Sequence, residues 1–104
     1  MISVGTDIVA VQRVAQVWHR FQNAFVKKIL SFDEQKHFLK ISDENSKLRF
    51  LAGRFCGKEA VFKAAQEPLT WKMVSVLPTD ESPAKPLVFV NQKVRDDLSL
   101  SISH

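Results

Sequence analysis

The apolar positions of the chain change rhythm several times, and each rhythm predicts an element. Ile2 to Val9 is short and rich in β-branched residues, broken only by Gly5, Thr6 and Asp7, which predicts a strand. Val14, Val17, Trp18, Phe21, Phe25 and Ile29 then recur at helical spacing, so Val11 to Leu30 reads as helix. Asp33 to Ile41 predicts a shorter helix, with Ser31 as its cap and Glu34, three residues on, completing a capping box. The longest helical pattern runs from Asp43 to Gln66 without a proline, and Pro68 lies just beyond it. Strand-like segments follow at Trp71 to Leu77, Leu87 to Val90 and Leu98 to Ile102. The last sets Leu98, Leu100 and Ile102 on one face against Ser99, Ser101 and Ser103 on the other. Thr79 to Pro86 carries an aspartate, a serine and two prolines, and reads as a turn or loop. A strand, then helices, then a run of strands predicts an α+β domain with the helices packed against an antiparallel sheet.

Two acidic positions interrupt these patterns. Asp7 stands in a stretch otherwise suited to a buried strand. A buried carboxylate without a partner costs on the order of several kcal/mol, so Asp7 must be exposed, paired, bound to a metal, or placed as the cap of the following helix. Glu59 falls inside the stripe formed by Leu48, Leu51, Ala52, Phe55 and Phe62 on the long helix. Lys63, four residues on, shares its face, but an exposed ion pair there is worth only about 0.3–0.5 kcal/mol. Both acids find one explanation as a half-shell for Mg²⁺, which takes one or two carboxylates, several waters and the phosphate oxygens of a substrate. Lys63 and Arg54 are of the right type to meet the remaining phosphate charge.

Composition narrows the picture from outside. A chain of 104 residues fits one domain, 1–104, and so small a domain buries only about 60–65% of its unfolded surface. Oligomerisation is a natural way to add buried area. The net charge of +4 attracts anions of every kind: nucleic acid, phosphorylated cofactors, acidic proteins and anionic lipid. The single cysteine, Cys56, excludes an internal disulfide, agrees with a reducing cytosol and reads as a small core residue. No apolar run approaches the roughly 20 residues that cross a bilayer, and the N-terminus lacks the pattern of a signal peptide, so a soluble cytoplasmic protein with no membrane partner is expected. The three glycines form no phosphate-binding loop, and His19, His37 and Cys56 have no zinc-like spacing. A small basic nucleic-acid-binding domain accounts for the charge and the phenylalanines but leaves Asp7 and Glu59 unexplained. A catalytically inactive scaffold of the same fold is the other alternative.

Four segments carry a more specific resemblance. Gly5-Thr6-Asp7-Ile8-Val9, followed by Arg13-Val14, resembles the opening of holo-acyl-carrier-protein synthases, members of the 4′-phosphopantetheinyl transferase family. The run Phe50-Leu51-Ala52-Gly53-Arg54-Phe55-Cys56-Gly57-Lys58-Glu59-Ala60-Val61-Phe62-Lys63-Ala64 is similar to that family's central signature, Lys85-Pro86 to a Gly-Lys-Pro turn, and Ser101-Ile102-Ser103-His104 to its closing motif. The resemblance spans nearly the whole chain. It implies transfer of 4′-phosphopantetheine from coenzyme A to a serine of an apo-acyl carrier protein, with Mg²⁺, for fatty acid biosynthesis, in a cytoplasmic homotrimer.

By motif, Asp7 and Glu59 are implied to bind Mg²⁺, and Lys63 to steady charge on the phosphate under attack. Arg54, Lys63, Lys85, Pro86 and His104 are implied to line the coenzyme A site. Glu59, directly or through a water of the ion's shell, is the candidate base for the serine proton. Arg13 and Arg20, seven apart on one helical face, are expected to meet the acidic carrier protein, with Lys27 a further seven on.

The chain also departs from the pattern. Ala65-Gln66 stands where a glycine is usual, Ala84 replaces the glycine of the Gly-Lys-Pro turn, and Ala10 replaces an acidic residue. Gly57 sits inside a helix, at a cost of about 1 kcal/mol relative to alanine. Family members usually continue past the histidine into another strand, so that strand is expected to be missing after His104.

Overall fold

The computed structural model describes residues 1–78 and 85–103. Its elements are β1 (Ile2–Gly5), α1 (Ile8–Phe21), α2 (Asn23–Ile29), α3 (Phe32–Lys40), α4 (Glu44–Ala64), β2 (Val74–Leu77), β3 (Leu87–Val90), β4 (Lys93–Val94) and β5 (Leu100–Ser103), with a 3₁₀ turn at Asp96–Leu98 before β5. This is the expected α+β order, and β2-β3-β4 form the expected antiparallel sheet. The remaining pair was not expected: β1 and β5 lie parallel, with Ile2 opposite Leu100 and Gly5 opposite Ser103. Leu98, Leu100 and Ile102 are buried, as their alternation predicts. The loop read at Thr79 to Pro86 lies mostly outside the described residues.

The first strand ends earlier than its β-branched residues suggest. Ile8 and Val9 open α1 because Asp7 caps it, the Ala10 N–H donating to Asp7 Oδ1 at 2.8 Å. Val11 to Leu30 proves to be two helices. Gln22 takes φ 50°, in the left-handed region, and its N–H closes α1 on the Trp18 carbonyl at 2.7 Å. The apolar spacing continues across the break, so periodicity alone does not reveal it. The capping box at Ser31 and Glu34 forms as read, with the Ser31 N–H donating to Glu34 Oε1 at 2.9 Å and the Glu34 N–H to Ser31 Oγ at 3.3 Å.

α4 runs through the middle, with apolar residues all round it. On one side Leu51 and Ala52 meet the helices through Val14, Ile29 and Leu30. On the other, Val61 meets the strands through Val74, Val76 and Leu100. Gly57 is needed for that second contact, since a Cβ there would lie 3.1 Å from Leu100 Cδ2 and 3.5 Å from Ile102 Cδ1. Phe25, Phe38 and Phe50 are buried, not displayed for stacking on bases.

The buried polar groups converge on Lys58 and Glu34, both fully enclosed. Lys58 Nζ donates to the Ile29 carbonyl at 2.8 Å and the Trp71 carbonyl at 2.9 Å, and pairs with Glu34. Glu34 Oε2 accepts the Val76 N–H at 2.7 Å. Burial draws the lysine's pKa down, and the Glu34 carboxylate opposes that fall.

Replacing Gln22 with glycine removes a left-handed penalty of about 1–2 kcal/mol and partly returns it as backbone entropy. Gln22→Gly is expected to stabilise the fold by about 1 kcal/mol, seen as a higher urea midpoint with an unchanged slope.

Candidate active site

Asp7 and Glu59 belong to parts of the chain that pack together, β1 leading to Asp7 and α4 carrying Glu59. β1 and its pairing with β5 bring the chain to Asp7, the Thr6 N–H donating to the Ser103 carbonyl at 2.8 Å. The cap to Ala10 then holds one carboxylate oxygen, and among the described residues the other takes no hydrogen bond. Glu59 rides on α4, one turn after Cys56. The Cys56 thiol reports on both acids. Its pKa is raised first by burial, then by the Glu59 carboxylate and then by that of Asp7. Both acids thus lie within electrostatic reach of one sulfur.

Glu59 is exposed, contrary to its place in the apolar stripe read from the sequence. The residues of α4 that the core encloses are Arg54 and Lys58 beside the apolar ones, so the buried face is turned from the one the spacing suggested. Glu59 and Lys63 make no ion pair, although both are described. Lys63 is exposed in the last turn of α4, about 6 Å further along the axis. Cys56 is half-buried at the edge of the acids, and not a core residue.

Arg54 faces elsewhere. Its Nε donates to the Val76 carbonyl at 3.0 Å, and its guanidinium carbon lies 4.3 Å from the centre of the Phe50 ring. Burial brings its pKa down to about 10, against the pull of Glu34, so it remains cationic at neutral pH. Lys85 is exposed and Pro86 buried at the entrance to β3. His104 lies outside the described residues.

The donor set suits a hard divalent ion. Among the described residues no three His, Cys, Asp or Glu side chains form a ready-made cage, so an ion would complete its shell from water and phosphate oxygens. Asp7 and Glu59 are free of ion pairs among the described residues. The hydroxyl of Thr6, which precedes Asp7 in the chain, is buried with no hydrogen-bond partner among the described residues.

One feature of the helical side escaped the sequence reading. A groove of about 380 Å³ opens between α1, α2 and α4, lined by Val17, Phe21, Phe25, Lys28, Phe55 and Trp71. A smaller hollow of about 60 Å³ includes Arg13 with Val17, Phe25 and Phe55. Arg13 and Arg20 are exposed on α1, as their spacing implied. The signal available was Val17 and Phe21, each four or more residues from Arg13 and beside Arg20 on α1, which read as core but are 37% and 52% exposed.

Residues 3–101 match the 4′-phosphopantetheinyl transferase superfamily, and the chain belongs to it. The relatives it resembles within that superfamily include holo-[acyl-carrier-protein] synthases. The chain is 40% identical to the holo-[acyl-carrier-protein] synthase of Chlorobaculum tepidum, covering 99% of this chain and 88% of that one. It is 35% identical to the synthase of Acholeplasma laidlawii, covering 98% and 85%. The fold matches the crystal structure of holo-[acyl-carrier-protein] synthase from Neisseria meningitidis with a TM-score of 0.67 at 28% identity, over 86% of this chain and 72% of that one.

Neutralising both acids is expected to lower the Cys56 pKa and quicken its reaction. In Asp7→Asn/Glu59→Gln, alkylation by iodoacetamide at about pH 8 should run several-fold faster than in the wild type, read by mass spectrometry.

Proposed function

We propose that the protein transfers 4′-phosphopantetheine from coenzyme A to a serine of an apo-acyl carrier protein, with Mg²⁺, releasing 3′,5′-ADP in fatty acid biosynthesis. The observation that carries this reading is the superfamily match over residues 3–101, with Asp7 at the end of β1 and Glu59 on α4, two elements that pack together.

The serine oxygen forms the new bond to the β-phosphorus, and the bond from that phosphorus to the bridging oxygen breaks, its electron pair leaving with 3′,5′-ADP. Positioning and charge do most of the work in such a transfer. When bound, Mg²⁺ would be held by the free oxygen of Asp7 and by Glu59, and would draw charge from the diphosphate. Lys63 supplies a cation to the phosphate oxygens as charge builds on them. Glu59 accepts the serine proton, and its exposure leaves it open to the hydroxyl. Lys85, Pro86 and His104 are assigned to the nucleotide. Arg54 serves it from behind, through the packing of α4 on β2, since its Nε is committed to Val76.

The carrier protein docks on α1. Arg13, Arg20 and Lys28 offer charge to an acidic partner, and the groove between Val17, Phe21 and Phe55 takes its apolar side chains. Ile8 and Val9, exposed beside Asp7, support a homotrimer whose sites lie between protomers. No described helix is long and apolar enough to cross a membrane. The free thiol of Cys56 agrees with action in the cytoplasm.

The test is incubation with apo-carrier protein, coenzyme A and Mg²⁺, read by mass spectrometry. A phosphopantetheine-sized gain on the carrier is expected, and a folded protein that gives none is a scaffold only. Glu59→Gln is expected to lose most of the rate, about 10²-fold or more, and full activity would remove Glu59 from the mechanism. Arg13→Glu is expected to raise KM for the carrier protein and flatten its dependence on salt, with kcat little changed.

A further inference from the structure

Glu59 is useful only if its carboxylate stays in register with Asp7, which is held by a different part of the fold. Exposure leaves it little packing to hold it, and among the described residues it has no ion pair. Its neighbour Lys58 is the opposite, enclosed and bonded at every proton it carries. The acceptors are the Ile29 carbonyl ending α2, the Trp71 carbonyl before β2 and Glu34 in the first turn of α3. Glu34 is itself fixed by the N–H groups of Ser31 and Val76. The ammonium therefore sits at one point defined by three segments besides its own.

Stability alone does not account for this pair, because well-packed apolar residues of the same volume are commonly as stable as a buried ion pair or more so. What an apolar pair cannot do is fix a helix along and about its axis. Apolar contacts tolerate small slides and turns; three converging hydrogen bonds do not. Sites of this kind need their groups held to within about 0.5 Å.

We propose that Lys58, through its bonds to Glu34, Ile29 and Trp71, is a positioning residue that sets the rotation and axial register of α4 and thereby aims Glu59 at the ion shared with Asp7. The inference rests on the metal reading given under the proposed function. Partners one step behind metal ligands commonly change affinity by about 10–100-fold, and Lys58 acts at that distance through the helix backbone.

The experiment measures binding of Mn²⁺, a spectroscopic stand-in for Mg²⁺, to the whole protein by electron paramagnetic resonance of the free ion. Wild-type protein is expected to bind and Asp7→Asn to bind weakly; absence of binding by the wild type overturns the metal reading and this inference with it. Glu34→Leu/Lys58→Met removes both charges without leaving either alone, and Lys58→Arg keeps the charge but replaces a compact ammonium with a planar fork. Per folded molecule, either variant is expected to bind Mn²⁺ about 10-fold more weakly, with reduced kcat and unchanged KM for the carrier protein. A folded variant with wild-type Mn²⁺ affinity overturns the inference and leaves the metal reading standing. A measurement without substitution serves if neither variant folds. Mn²⁺ is expected to slow hydrogen exchange at the Ser31 and Val76 amides, which belong to no element bearing Asp7 or Glu59. Unchanged exchange at both overturns it.

Discussion

An ammonium whose three protons are all committed has no freedom to turn, and a carboxylate that receives two amides and that ammonium has none either. Glu34 and Lys58 form such a unit in the dry centre of the protein. The capping box that starts α3 is made of the same carboxylate, so one side chain begins a helix, receives β2 and holds α4. Removing either partner alone leaves an uncompensated buried charge, typically a loss of about 3–5 kcal/mol. The pair thus makes the layers of a modest core interdependent.

Around that fixed centre the two sides of α4 do different work. One side packs on α1, α2 and α3, and the largely apolar groove proposed for the carrier protein opens between α1, α2 and α4. The other packs on the strands, where Gly57 lets β5 approach and β5 in turn aligns β1. Asp7 stands at the end of β1 with one oxygen used to start α1. Capping and metal binding were rival explanations of this residue, and the geometry accommodates both, because a cap needs only one of two oxygens.

What the sequence made legible follows from how local each signal is. The Ser31–Glu34 box involves residues three apart and appears as read. The alternation of Leu98, Leu100 and Ile102 is a short-range pattern whose burial appears as read, although Leu98 belongs to the 3₁₀ turn and the strand begins at Leu100. The turn at Gln22 leaves no mark on the apolar spacing, since Phe21, Phe25 and Ile29 keep their rhythm across it. β4 is only two residues long, too short for any periodicity. Arg54 and Lys58 were invisible as buried groups because their acceptors, the carbonyls of Ile29, Trp71 and Val76, are backbone atoms that no composition displays. Motif likeness found Asp7, Glu59 and Lys63 without saying which way they face, and the face of Glu59 was misread.

The parallel pairing of β1 with β5 joins Ile2 to Leu100. A contact of such separation closes a very large loop, and loops of that kind form late. During synthesis on the ribosome, the strand that leads to Asp7 emerges first and then waits for a partner nearly the whole chain away. The helices have every local reason to form in the meantime. The pairing that fixes the approach to Asp7 is therefore expected among the last contacts to form, after the helices that α4 joins are already in place.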